Sequence, residues 1–410
     1  MAAGMLLRGA TLLDGRRWEP QSDRDVVIEG GRITAVGKGC SAAQTVLDCR
    51  GLTVMPGLID CHVHLSVTGG PDFLREARDP LAFVAWRAAK HARDTLQAGF
   101  TTVRSLGDRD YVTVHLREAV AEGLVEGPRI VTAGLPICMT GGHGWLFGSR
   151  EADGADGVRQ AVREQLKAGA DVIKLIATGG VLTPGVQPGA PQLTRAELEA
   201  GVEEAHKAGR RAAAHAQGAE GIRNAVLAGI DSIEHGFYLE EDTASLMATR
   251  GTYLVPTFSA LRNILAHGTS AGLAEYVVQK AATVSTAQVE SFQRALAAGV
   301  RVALGTDAGT PFNYHGANAQ ELGHMVEAGL PVARALAAAT SEAATLLGLD
   351  HEIGTIDVGK AADLIVVDGD PLADVRILAD QARIVAVIAR GRLLRCTHPA
   401  RVTGLSGRSV

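Results

Sequence analysis

Six residues with metal-ligand or metal-bridging chemistry stand out in the 410-residue chain: His62, His64, Lys174, His215, His235 and Asp307. His62 and His64 are two apart at the end of the run Leu58–His64, so an extended chain points both imidazoles to one face. Two such imidazoles can hold one cation, although HxH pairs also occur without one. Lys174 lies inside Val172-Ile173-Lys174-Leu175-Ile176, an otherwise apolar run. A lone buried ammonium is costly and its pKa falls. The neutral amine can take up carbon dioxide as a carbamate, an anion able to bridge two cations. Taken alone, a lysine paired with a buried carboxylate is the simpler alternative. His215 lies in Arg211–Ala216, His235 closes Ser232–His235, and Asp307 follows Arg301–Thr306. None is unusual by itself, but together they end five separate apolar runs, and that arrangement points to a metal centre.

The elements that must position these residues alternate along the middle of the chain. Leu58–His64, Thr101–Leu106, Arg129–Ala133, Val172–Ala177, Arg211–Ala216, Ser232–His235, Tyr253–Thr257 and Arg301–Thr306 read as strands. Helical stretches lie between them over Pro80–Ala98, Val158–Ala168, Arg195–Ala208, Glu220–Ala228 and Thr286–Ala298. Each is followed by a glycine (Gly99, Gly169, Gly209, Gly229, Gly299), the residue that best ends a helix. Strand–helix units repeated eight times predict an α/β fold of the (β/α)8 TIM-barrel type over residues 56–348. The ligand-type residues then fall at the C-terminal ends of strands one, four, five, six and eight, the face that carries active sites. An open doubly wound sheet is the alternative, and it lacks the GxGxxG expected after its first strand.

Both flanks read as β structure. Met5–Leu13, Asp25–Glu29 and Arg32–Val36 are strand-like, with Gly30-Gly31 suited to a hairpin turn, as are Leu364–Asp368 and Ile384–Ala389. Residues 1–55 and 349–410 are therefore expected to form the two parts of one small β-sandwich.

Composition removes several function classes. Forty Lys and Arg against 45 Asp and Glu give a net charge of −5, without the basic excess of a nucleic-acid binder. No apolar run is long enough for a membrane span, and Arg8 interrupts the short apolar stretch at the N-terminus, which does not read as a signal peptide. Cys40, Cys49, Cys61, Cys138 and Cys396 are scattered without a CxxC, the pattern of a reduced, cytoplasmic chain. A homo-oligomer is the default expectation. Small molecules, not nucleic acid or membranes, are the expected partners.

Pro56-Gly57-Leu58-Ile59-Asp60-Cys61-His62-Val63-His64, taken with Lys174, His215, His235 and Gly305-Thr306-Asp307, resembles the amidohydrolase superfamily. Ala339–Ala344 and Gly359–Leu364 extend the resemblance over nearly the whole chain. It implies a binuclear centre, usually of zinc. His62, His64 and Asp307 would hold the first metal and His215 and His235 the second, with carboxylated Lys174 and a hydroxide bridging them. Zinc lowers the pKa of water to about 7, which makes hydroxide available at neutral pH. Asp307 would take the proton and pass it to the leaving nitrogen. The donor set also suits manganese or cobalt.

Within the superfamily, Lys174 and the absence of Glu three residues after His215 argue against deaminases and imidazolonepropionase-like cyclic-amide hydrolases. Thr140-Gly141-Gly142-His143-Gly144 and Tyr238 resemble the branch of Xaa-Pro dipeptidases (prolidases), related carboxypeptidases and ochratoxin amidases. That resemblance implies catalytic and substrate contacts for His143, near the scissile group, and Tyr238, near the carbonyl or terminal carboxylate. The implied activity is hydrolysis of an amide to release a C-terminal amino acid from an Xaa-Pro-like dipeptide or an N-acyl amino acid. An aromatic N-acyl amino acid such as ochratoxin A is the alternative substrate. A cyclic-amide hydrolase, a deaminase and a non-catalytic relative are the alternatives in class; the last would be expected to lose ligands, yet all six positions are filled.

Arg104 ends the second strand beside Ser105, where relatives often carry an acid, and is expected to brace an ion pair rather than orient substrate. The segments Cys138–Ser149, Thr178–Pro191, Phe258–Leu273 and Gly309–Ala317 are expected to wall the pocket as loops. Their Trp145, Phe147, Phe258, Phe312 and Tyr314 offer apolar surface or simply pack the loops. His315 and His324 receive no role.

Overall fold

Strands that are buried at every position need cover on both faces, and parallel sheets provide it. In the computed structural model, which describes residues 4–40 and 43–404, Leu58–Val63, Phe100–Ser105 and Val172–Ile176 are buried throughout. The first two form a parallel three-stranded sheet with Arg129–Thr132. A second parallel sheet, of six strands, runs Arg150–Glu151, Ile137–Cys138, Val172–Ile176, Arg211–Ala216, Ser232–His235, Tyr253–Val255. The middle of the chain is thus an α/β fold with parallel sheets.

The eighth expected strand, Arg301–Thr306, is not a continuous strand. Single parallel bridges join Val302 to Leu254 and Ala308 to Val63. Even so, the segment bonds to both sheets: Leu254 N–H donates to Arg301 O (2.9 Å), Cys61 N–H to Leu304 O (2.8 Å), and Asp307 N–H to His62 O (2.7 Å). At the opposite seam Asp171 N–H donates to Thr132 O (2.8 Å).

The helices follow the expected order as Leu81–Gln97, Gly154–Lys167, Arg195–Lys207 and Ala219–Leu227, and all five terminating glycines have positive φ. The fifth helix, Glu275–Ala297, begins well before the expected Thr286. Most of the expected loop Phe258–Leu273 is the helix Phe258–His267. Thr257, at φ 53°, makes no side-chain cap, and the first-turn N–H groups are satisfied from far along the chain. Glu321 Oε1 accepts from Phe258 N–H (2.7 Å), and Oε2 from Ser259 N–H (2.7 Å) and its hydroxyl (2.6 Å). A cap 63 residues away leaves no local signature.

The chain ends meet in a nine-stranded mixed sheet. Leu364–Val367 pairs antiparallel with Thr53–Pro56 on one side and with Ile384–Ala389 on the other. The hairpin of Gln21–Glu29 with Arg32–Gly37 turns through Gly30 and Gly31 at φ 57° and 81°, a turn that only the primed types supply. Thr53–Pro56 feeds the first metal-type strand through Gly57. A Cβ there would lie 2.2 Å from Thr101 Oγ1, so the approach of the two segments requires glycine. No helix among the described residues is long and apolar enough to cross a membrane.

Candidate active site

His62, His64, Lys174, His215, His235 and Asp307 all line one cleft, and His143 lines it with them. His62, at the end of its strand, and His235 have ring centroids 5.2 Å apart; His235 and His215 are 4.6 Å apart, and His215 and His143 4.4 Å. Asp307 Oδ1 lies 3.1 Å from His64 Nε2 and 3.3 Å from His62 Nε2. Ligand atoms of His62, His235 and Asp307 lie within 4.8 Å of one another. His235 and Asp307 both have left-handed backbones, φ 74° and 61°. Such strained strand ends are uncommon for non-glycine residues and concentrate at functional sites.

Each histidine is tied at one ring nitrogen. His62 Nδ1 meets Glu234 Oε2 at 2.8 Å, His64 Nδ1 meets Gly107 O at 2.9 Å, and His235 Nδ1 meets Thr257 Oγ1 at 2.7 Å. The longer contact of His215 is Nε2 to Gly179 O, at 3.4 Å. Metal-binding histidines are typically anchored in this way, with the other nitrogen left for the cation. Burial, then Lys174, keeps His62 far below its ordinary pKa, and burial pushes His235 down to about 4. Burial and then the neighbouring His143 depress His215 as well. These rings are neutral, as a cation ligand must be. Burial alone would raise the Asp307 carboxyl, but His62, His64 and His235 hold it well below the carboxylate range. His64 is raised: burial opposes its charge, but Asp307 outweighs it.

Lys174 is the anomaly. Its Nζ is buried with no hydrogen-bond partner among the described residues, and burial lowers its pKa to about 8. A lysine paired with a carboxylate would have a partner. An amine of lowered pKa amid four histidines and an aspartate is the chemistry a carbamate ligand needs, so the residues fit a divalent-cation centre.

The other expected residues divide. His143 Nδ1 meets Thr183 Oγ1 at 2.8 Å, and burial pushes the ring down to about 3. Tyr238 is 38% exposed, does not line the cleft, and its hydroxyl lies 3.4 Å from Thr283 O. Arg104 is a brace, fully buried and bonded to Cys61 O, Ser232 and Glu234. Of the five loop aromatics only Phe147 lines the cleft; Phe258 packs on Phe292, Phe312 stacks on His267, and Trp145 and Tyr314 are exposed. The apolar wall instead includes Phe73, Phe237, Leu261 and Ile264. His315 stacks on His91, and His324 accepts from Arg262.

Sequence reasoning passed over Glu234 and Thr257. Glu234 had a readable signal, because a carboxylate alternates with Ile233 in a fully buried strand next to His235. Thr257 had none, since its role depends on the left-handed turn that ends its strand.

These features define a metal-type hydrolase site at the ends of parallel strands. A family model described as the amidohydrolase family matches residues 53–394, so the chain belongs to the amidohydrolase family, whose members generally use divalent metals. It is similar to the ochratoxinase of Aspergillus niger, 31% identical over 428 residues, covering 96% of this chain and 86% of that protein. The solved structure of a Xaa-Pro dipeptidase with methionine bound in its active site superposes with a TM-score of 0.86 at 37% identity, covering 95% of this chain and 99% of that one. The imidazolonepropionase of Methylobacterium nodulans (strain LMG 21967 / CNCM I-2342 / ORS 2060) is 28% identical over 403 residues, covering 90% of this chain and 94% of that protein.

Proposed function

We propose that this amidohydrolase cleaves a linear amide and releases a C-terminal amino acid from an Xaa-Pro-like dipeptide or an N-acyl amino acid, aromatic ones of the ochratoxin type included. The observation that carries the reading is the convergence of four histidines and Asp307 around the partnerless Nζ of Lys174. Residues 56–348 are read as a closed (β/α)8 barrel whose last strand is the irregular 301–308 segment, because that segment bonds to both parallel sheets. The described residues of segments 1–55 and 349–410 are read as the β-sandwich beside it, the remainder of the two segments lying outside the described residues. The five free cysteines suit a reducing, cytoplasmic setting.

His62, His64 and Asp307 would hold one cation, His215 and His235 a second, and carboxylated Lys174 would lie between them. Two bound divalent ions, most simply zinc, supply Lewis acidity to the scissile carbonyl and lower the pKa of water to about 7. Asp307 accepts a proton on a carboxylate oxygen and returns it to the leaving nitrogen. His143 acts as a neutral donor. Thr183 Oγ1 accepts from Gly144 N–H (3.1 Å) and has no other acceptor among the described residues, so its hydroxyl is read as donating to His143 Nδ1. The ring proton then sits on Nε2, ready for a carbonyl or carboxylate oxygen. Gly180 leaves room for that ring, because a Cβ there would lie 2.5 Å from Nε2.

The resemblance assigns Tyr238 to the substrate, a role its hydroxyl would take by leaving Thr283 O, 3.4 Å away. Tyr238→Phe is expected to lower kcat/KM about tenfold, the worth of one hydrogen bond to a charged group, with an unchanged melting temperature. Steady-state kinetics showing no change would remove Tyr238 from the site.

A homo-oligomer is also proposed. Phe83 and Trp86, which is 73% exposed, lie on the outer side of one helix. Light scattering is expected to show Trp86→Glu in a smaller assembly than the parent; equal masses would place any interface elsewhere.

The function is tested by incubating metal-loaded protein with Xaa-Pro dipeptides, N-acetyl amino acids, ochratoxin A, hydantoins and nucleobases, and identifying the products by mass spectrometry. Free C-terminal amino acid is the expected product. Ring opening or ammonia release alone would replace the reading with a cyclic-amide hydrolase or a deaminase.

A further inference from the structure

Beneath the ligand layer lies a buried chain of three polar side chains that the hydrolytic chemistry does not itself require. Glu234 is fully buried, and its two oxygens are used differently. Oε1 is anchored by Arg104 Nη2 at 2.9 Å and by the Ser232 hydroxyl at 2.5 Å. Among the described residues Oε2 has a single partner, His62 Nδ1, at 2.8 Å. Arg104 is 1% exposed and is itself fixed on three sides, with Nε on Cys61 O at 2.6 Å and Nη1 on Ser232 Oγ at 3.2 Å. Cys61 is the residue before His62, so the guanidinium holds both the backbone that carries His62 and the carboxylate that meets its ring.

An imidazole has one proton to place. A carboxylate only accepts, so a ring nitrogen facing it must carry the hydrogen. Oε2 therefore demands the Nδ1–H form of His62, which leaves the lone pair on Nε2, the atom 3.3 Å from Asp307 Oδ1. A rotatable glutamate alone would hold that demand loosely. With Oε1 clamped by two donors, Oε2 has one direction to point. We infer that Arg104, Ser232 and Glu234 form a tautomer lock on His62, in which Arg104 and Ser232 are positioning residues for Glu234 and Glu234 is the positioning residue for the ligand nitrogen. The inference rests on the reading of His62 as a cation ligand.

Glu234→Gln keeps shape and volume but can offer an amide N–H to Nδ1, which favours the opposite tautomer. The first readout is the 15N spectrum of the histidine ring in metal-free protein, which distinguishes Nδ1–H from Nε2–H. His62 is expected as Nδ1–H in the parent and as Nε2–H or a mixture in Glu234→Gln. The second is zinc affinity by competition with a chelator, expected to fall ten- to a hundredfold in Glu234→Gln. Ser232→Ala, which removes one clamp without touching a charge, is expected to give a smaller fall. Arg104→Lys is expected to recover part of the affinity that Arg104→Met loses, because lysine restores one contact and not the three-point hold. If Glu234→Gln misfolds, the Ser232→Ala and Arg104→Lys spectra decide. A parent ring already in the Nε2–H form, or a Glu234→Gln variant with parental tautomer and zinc affinity, overturns the lock. Because the tautomer is read without metal, a parent that holds Nδ1–H yet binds no zinc would refute the metal reading and leave the lock standing.

Discussion

Asp307→Asn is expected to keep the fold and most of the cation content while lowering kcat by about a thousandfold, within the range found for positioned proton transfer. Asparagine preserves the size of the side chain and one oxygen for the contacts to His62 and His64. It removes the ability to accept a proton and hand it to the leaving nitrogen. His64 also loses the carboxylate that raised its pKa, so it becomes easier to keep neutral. The loss should therefore appear in kcat more than in cation binding. Steady-state kinetics at saturating substrate, with metal counted by elemental analysis, check this. A kcat within tenfold of the parent at full metal content would take the proton shuttle away from Asp307.

Lys174→Met is expected to divide the loaded from the metal-free protein. On the proposed reading the variant would lack the anion that Lys174 would offer to the cations, so the metal count should fall below two per chain and turnover by a hundredfold or more. In the metal-free protein the same change should stabilise. The parent buries Nζ without a hydrogen-bond partner among the described residues, and replacing that buried ammonium by an apolar group of similar length relieves the cost of desolvating it. The pH dependence carries the sign. The folded pKa of about 8 lies below the ordinary 10.5, so between these values the unfolded chain binds more protons. Stability of the metal-free parent should then rise with pH through that window, by about 1.4 kcal/mol per pKa unit at most. Lys174→Met should lack the rise. Thermal melts from pH 7 to 10 with and without zinc measure both effects; a variant less stable than the parent in the absence of metal would mean that Lys174 has a partner role.

Seven of the eight expected strands and the five helix-ending glycines were legible because burial on both faces and helix termination are local properties of sequence. The segment 301–308 was harder. It is held by close approach, since a Cβ at Gly305 would lie 2.3 Å from Val255 Cγ1 and 2.8 Å from His62 Cβ, and not by a regular ladder. The helix Phe258–His267 was read as loop because its cap, Glu321, is remote. At the site, the ligand types were visible as polar residues interrupting apolar runs. Of what anchors them, Glu234 alone left a signal, as a carboxylate in a buried strand beside His235; Thr257 and Thr183 act across strand and loop boundaries that only the folded chain brings together. Tyr238 was carried over by resemblance, and its hydroxyl here meets Thr283 O.

The most direct test of the central claim is to strip the protein of metal, return zinc in measured steps, and follow release of free amino acid from an N-acyl amino acid or dipeptide substrate by mass spectrometry. No release is expected from the stripped protein, and activity should climb to a plateau at two zinc ions per chain. Full activity without metal, or a two-zinc protein that frees no C-terminal amino acid from any linear amide, would contradict that claim.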